Sequence, residues 1–287
     1  MIIWLASYPK SGNTWLRFFI ISLLMGTKTK LNLNHLRAIP TFPHNSQFEG
    51  LISNDLNLEE VAKNWIRSQE KINSNRNIKF FKTHNALGKY KGYSFSNSEN
   101  TLGTIHIVRD PRNIITSLKN HYSFPEYEEA KKFLFNDNQG ITYSKKQINE
   151  YKKKNMKYSL PQFLGSWKTH YLSWKNMKKN YILVKYEDLK DNPSIEFNKI
   201  ANFISNLTSI NFTSEQIKLA INLSSFEKLE ELEKKYGFTE STTNKKGKKN
   251  KFFFLGPKND WKKILDNQTS NDIERKFENE MKELQYL

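Results

Sequence analysis

Short apolar runs alternate with longer stretches of helical periodicity along this chain, the pattern of a parallel sheet covered by helices. Ile2–Ala6, Ile78–Lys82, Thr104–Val108 and Tyr181–Lys185 are the strand-like runs. Apolar spacing predicts helices over about Asn13–Met25, Leu58–Ile72, Pro111–Tyr122, Leu160–Lys178, Pro193–Ile204, Ser214–Ile221, Ser225–Tyr236 and Asn271–Leu284. No internal repeat or long linker interrupts the 287 residues, so a single domain over 1–287 is expected. Two polar stretches, 126–158 and 239–256, are expected to be mobile. The first is rich in Lys, Tyr and Asn and reads as a cover over a site.

Composition narrows the function classes. Apolar residues at 37% and aromatics at 14% suffice for a packed interior. With no cysteine, disulfides, thiolate metal sites and cysteine nucleophiles are excluded. A net charge of +17 suits nucleic-acid binding, capture of an anionic substrate, or a merely lysine-rich surface. The basic residues are spread along the chain, whereas a nucleic-acid reader would gather them on one element. Met1–Ala6 opens as a strand with no basic leader. The run Trp15–Met25 carries Arg17 and falls short of the roughly 20 apolar residues that span a bilayer. A cytoplasmic protein with no membrane span is expected.

Ser7-Tyr8-Pro9-Lys10-Ser11-Gly12-Asn13-Thr14-Trp15 lies between the first strand and first helix, where an α/β fold offers backbone N–H groups and a positive helix end to an anion. Gly12 permits close approach, Ser11 and Thr14 add hydroxyl donors, and Lys10 brings a charge. The ATP-type loop G-x-x-x-x-G-K-[ST] has lysine where Asn13 stands here. No acidic strand end of the magnesium-holding kind follows; Asp110 reads as a brace for its own turn, and no metal is expected. A second basic junction, Arg109-Asp110-Pro111-Arg112, ends the third strand. Pro111 suits a helix's first turn, leaving Arg109 at the strand's carboxyl end, where its paired donors suit a phosphate or merely help to cap the helix. After the second strand come Lys82-Thr83-His84. A histidine there is either structural or a base of near-neutral pKa.

These segments resemble the cytosolic-type sulfotransferases that use 3′-phosphoadenosine 5′-phosphosulfate (PAPS). Tyr8–Trp15 is similar to the family's Y-P-K-S-G-T-T-W loop, departing only at Asn13. Arg109–Ser117 resembles R-D-P-R-D-x-x-x-S, and Lys82-Thr83-His84 resembles K-x-H. Tyr186-Glu187-Asp188-Leu189 and Ser224-Ser225-Phe226 are similar to its Y-E-D-[LM] and T-S-F elements. The resemblance implies a P-loop-like three-layer αβα fold with a central parallel sheet. It implies that Lys10 contacts the bridging oxygen, that Ser11, Gly12, Asn13 and Thr14 hold the 5′-phosphate, and that Arg109 and Ser117 hold the 3′-phosphate. Trp15, otherwise a core aromatic, stacks on adenine, and Tyr186, Ser224 and Phe226 lie near the nucleotide. His84 is the general base and Lys82 supports it, in an in-line displacement at sulfur that releases adenosine 3′,5′-bisphosphate (PAP).

One departure stands out. The family's R-K-G-x-x-G-D-W appears as Phe254-Leu255-Gly256-Pro257-Lys258-Asn259-Asp260-Trp261, so Gly256 remains while the basic pair is lost. Lys249, Lys251 or Lys258, in or beside the run that includes Lys245-Lys246, are candidates to replace the charge. The acceptor is expected to be a small molecule or saccharide bound by loops such as 40–51 and 126–158, with no nucleic-acid partner. The alternatives are an ATP-dependent kinase of P-loop-like fold and a noncatalytic basic nucleotide- or nucleic-acid-binding protein. The sequence leaves oligomeric state open.

Overall fold

The computed structural model describes residues 1–26, 30–177, 180–244 and 247–287. Lys178, at the end of one expected helix, and Lys245-Lys246 lie outside the described residues. The principal sheet has four strands in the order Lys79–Thr83, Ile2–Ser7, Thr101–Val108, Tyr181–Lys185. It is a central parallel sheet flanked by helices, the P-loop-like α/β architecture. Ile2–Ser7 is buried along its whole length, as an inner parallel strand with covered faces must be. It pairs in parallel with the second strand, Ala6 opposite Thr83.

The chain forms two compact units. One comprises Met1–Tyr8, Ile39–His106 and Asp137–Leu183; the other comprises Pro9–Ala38, Ile107–Asn136 and Val184–Leu287. The first has an aromatic core in which Trp4, Phe42, Phe48, Trp65, Phe95 and Trp174 are almost fully buried. The second packs Asn13–Met25 against Ser214–Leu223 and stacks Phe19 on Phe197 at 4.1 Å. Truncating any one of these rings to alanine costs about 3–5 kcal/mol.

Asn13–Met25, Pro111–Tyr122 and Tyr181–Lys185 fall where the pattern predicts them. The expected helix over 58–72 is two, Leu58–Lys63 and Trp65–Asn73. At the break the Asn64 amide donates to the Glu60 carbonyl at 2.9 Å and competes with the helical ladder. The helix expected over 160–178 is shorter, Trp167–Lys175. Its forerunner instead forms a strand, Gln162–Phe163, paired with Gly140–Ile141. Gly165 then turns at φ 66° and Ser166 caps the helix by accepting from Thr169 N–H. The stretch 126–158 carries two helices, Tyr127–Phe135 and Lys145–Lys153.

Candidate active site

The loop expected to hold a phosphate runs directly out of the first strand. Lys10 sits at φ 69° and Gly12 at φ 103°, left-handed conformations of the kind that form anion-binding concavities. Gly12 is the N-cap of Asn13–Met25, with no side-chain cap and no acidic residue in the first turn. The helix end therefore keeps its N–H donors and partial positive charge for a ligand. Ser11, Asn13 and Thr14 are buried here, and the Lys10 ammonium lies 3.8 Å from the Phe252 ring centroid.

The second junction meets this loop. Arg109 is buried, its Nη1 donates to the Lys10 carbonyl at 3.1 Å, and its guanidinium lies 4.1 Å from the Tyr186 ring centroid. Trp15 packs edge-on against Tyr186 at 5.6 Å and Phe197 at 5.4 Å. Ser11 Oγ, Trp15 Nε1 and Arg109 Nε are buried with no hydrogen-bond partner among the described residues. Unpaired buried donors are costly, so a cluster of them suits a polar anionic ligand.

Neighbouring groups fix that arrangement. Asp110 accepts from Arg112 N–H at 2.8 Å, capping Pro111–Tyr122, and grips the Arg112 guanidinium. Arg112 also donates to Glu274 and to the Tyr286 carbonyl, and its guanidinium lies over Trp261. It is thereby engaged and unavailable to a ligand. Glu187 accepts from Asp110 N–H and from the Tyr286 hydroxyl. Burial pushes the Glu187 carboxyl above the ordinary range, partly opposed by Arg109.

Farther along Pro111–Tyr122, Ser117 Oγ accepts from Asn259 Nδ2 at 3.4 Å. Asn259 also donates to the Asn113 carbonyl and accepts from Thr116, tying the 252–261 segment to this helix. Phe226 covers Gly256, where a β-carbon would lie 2.2 Å from the ring, and packs on Phe253 at 6.1 Å. Ser224 is fully buried, its hydroxyl donating to the Ile221 carbonyl. Lys251, a candidate replacement for the missing basic pair, is ion-paired with Glu230.

In the other unit, His84 Nδ1 lies 2.7 Å from the Ser7 carbonyl and 3.3 Å from Ser7 Oγ. A carbonyl only accepts, so Nδ1 carries the hydrogen and Nε2 keeps the lone pair a base requires. His84 N–H donates to Gln162 Oε1 at 2.9 Å, and Lys82, two residues earlier, is buried. In this same unit a cavity of about 490 Å³ is walled by Asn45, Ser46, Glu49, Lys157 and Tyr158, from the two loops expected to carry the acceptor, and by Asp55 beyond the first of them, among others.

Residues 2–285 match the Sulfotransferase domain family. The chain is a sulfotransferase. It is 25% identical over 287 residues to flavonol 3-sulfotransferase of Flaveria bidentis, covering 95% of this chain and 79% of that protein. It is 20% identical to human sulfotransferase 2A1, over 97% of this chain and 83% of the relative. Mouse sulfotransferase SULT7A1 complexed with PAP superposes with a TM-score of 0.55 at 20% identity, over 97% and 83% of the two chains. Retinol dehydratase in complex with retinol and PAP gives 0.59 at 16% identity, over 98% and 81%. These two likenesses establish the shared fold.

Several residues that contact the motif residues of this sulfotransferase escape sequence reasoning. Ser7 shows no motif of its own, although parallel pairing of the first two strands would have set it opposite His84. In the first unit Gln162 reaches His84, and in the second Asn259 reaches Ser117 and Phe252 reaches Lys10, each through long-range packing for which the sequence carries no local signal. Glu187 stood in view within Tyr186-Glu187-Asp188, but its partner Asp110 lies 77 residues away.

Proposed function

We propose that this sulfotransferase moves the sulfuryl group of PAPS to a hydroxyl or amine of a small-molecule or saccharide acceptor, in the cytoplasm. The observation that carries the donor assignment is the hydrogen bond from Arg109 to the Lys10 carbonyl, which joins the two motifs expected to hold the nucleotide's two phosphates. The unpartnered Ser11, Trp15 and Arg109 atoms beside it suit an anionic nucleotide. PAPS, when bound, supplies the sulfuryl group and a bisphosphate leaving group.

Lys10 steadies charge growing on the bridging oxygen, a preorganised effect worth about 3 kcal/mol. Ser11, Gly12, Asn13 and Thr14 hold the 5′-phosphate, and Arg109 with Ser117 holds the 3′-phosphate. With the nucleotide bound, Trp15 would stack on adenine and Tyr186 would touch it, with Ser224, Phe226 and Gly256 nearby. His84 Nε2 takes the acceptor's proton as its oxygen attacks sulfur, and Lys82 supports it electrostatically. The acceptor class draws on the relatives: one is a flavonol sulfotransferase, and retinol dehydratase has been seen with retinol and with androsterone. The polar walls of the 490 Å³ cavity suit a hydroxylated acceptor.

Calorimetry with PAP and with ATP, each without magnesium, tests the donor. PAP is expected to bind and ATP to bind far more weakly, and Arg109→Ala weakens PAP roughly ten- to hundred-fold. Sulfate-labelled PAPS offered to an acceptor panel then reads turnover. His84→Ala is expected to lower kcat by about 10²–10⁴-fold with PAP affinity intact. Equal affinity for ATP, or turnover that demands magnesium, would overturn the reading in favour of a kinase.

A further inference from the structure

We propose that His170 is a positioning residue for His84, holding the ring's working tautomer without touching the reacting atoms. This rests on the reading of His84 as the base. His170 lies on Trp167–Lys175, its amide donating to the Ser166 carbonyl at 2.9 Å, and only 1% of the residue is exposed. Its ring hydrogen-bonds the His84 backbone. Because His170 Nε2 has no hydrogen-bond partner among the described residues, Nδ1 is the donor and the His84 carbonyl the acceptor. The same ring stands edge-on to Tyr8, at 5.7 Å and 87°. Tyr8 directly follows Ser7, whose carbonyl takes the His84 Nδ1 hydrogen. One imidazole thus braces both main-chain segments that form the His84–Ser7 bond.

Histidine meets both demands where phenylalanine and asparagine each meet one. Phenylalanine would keep the packing on Tyr8 and lose the donor. Asparagine would keep a donor and lose the ring. The brace must also stay neutral in a dry site. The groups facing His170 are Tyr8 and His106, whose rings lie 5.7 and 5.8 Å away, with the Tyr181 hydroxyl behind His106. None of them offers a negative charge at neutral pH, and burial holds the His170 pKa down at about 3. The donor N–H is therefore present throughout the working pH range.

Without the brace, the His84 peptide can rotate, the bond to Ser7 loosens, and the tautomer with hydrogen on Nε2, which cannot accept a proton there, becomes populated. The tests are His170→Phe and His170→Asn, assayed for kcat, donor KM and the pH profile of kcat/KM. Nitrogen-15 spectra assign the His84 tautomer. In His170→Phe, kcat is expected to fall about tenfold, the effect of one lost hydrogen bond, with donor KM unchanged. The acid limb of kcat/KM is expected to move about half a unit lower, because the Ser7 carbonyl favours the imidazolium. His170→Asn should recover part of both effects.

Wild-type kcat and pH profile in His170→Phe would overturn the proposal. If that variant does not fold, a wild-type spectrum with the His84 hydrogen on Nε2, or an undisturbed tautomer and pH profile in His170→Ala, which lacks both ring and donor, overturns it equally. His84→Ala separates the two levels. Retained turnover there defeats the base assignment itself, whereas lost turnover beside a wild-type-like His170→Phe defeats only the brace.

Discussion

Gly12 occupies a position that no side chain could share. Its φ of 103° is left-handed, and an added β-carbon would stand 2.7 Å from Tyr186 Cδ2 and 3.1 Å from Ile107 Cδ1. An alanine must either push Tyr186 away from Arg109 and Trp15 or reshape the loop, and the backbone conformation alone costs about 1–2 kcal/mol. Gly12→Ala is therefore expected to weaken PAP at least tenfold by calorimetry and to lower the melting temperature by several degrees. Unchanged PAP affinity would mean that the loop's close approach is not needed for binding. Lys10, at φ 69°, carries comparable strain without glycine's freedom. Such strain is concentrated where function needs it.

At the scale of elements, what could be read from the sequence was what local rules govern. The fully apolar Ile2–Ala6 run, the Gly12 start of the first helix and Pro111 in the first turn of another gave the strand–loop–helix units that carry both phosphate motifs. The failures have particular causes. Asn64 hides a break inside a continuous apolar period, because its side chain bonds the backbone in place of the ladder. Residues 160–165 look helical but pair with 140–141, a choice settled only by tertiary contact. The helices Tyr127–Phe135 and Lys145–Lys153 did announce themselves, through capping boxes at Glu126/Glu129 and Ser144/Gln147. Their polar composition masked that signal. The motif residues were legible as motifs, whereas Ser7, Gln162, Asn259 and Glu187 contact them through partners distant in sequence. Lys251 shows the converse: charge near the lost basic pair was legible, but its commitment to Glu230 was not.

For the whole molecule, a net charge of +17 speeds capture of polyanions and makes that capture salt-sensitive. Desolvated histidines contribute to the loss of stability in acid. Burial lowers His44 to about 4, with help from Lys157, and His170 to about 3, and it also holds His106 well below 6.5. The unfolded chain protonates these rings near 6.5 while the native protein leaves them neutral, so it is unfolding that takes up protons. Stability is full above pH 6.5 and declines as pH falls toward 3–4, by about 1 kcal/mol for each such histidine over the first unit. Urea melts at pH 7.5 and 5.5 should show the midpoint falling, and equal midpoints would contradict the buried neutral state.

The partners of Trp15 carry a practical consequence. Of the six tryptophans, Trp4, Trp65, Trp167 and Trp174 are almost fully buried, leaving Trp15 and Trp261 in half-buried surroundings. Trp261 faces Arg112, while the indole nitrogen of Trp15 has no hydrogen-bond partner among the described residues, beside the loop assigned to the donor nucleotide. A purine arriving there would perturb one emitter against a nearly constant background. Native fluorescence can thus serve as a label-free optical titration of PAP, with Trp15→Phe abolishing the signal, and it would follow the donor before any acceptor has been identified.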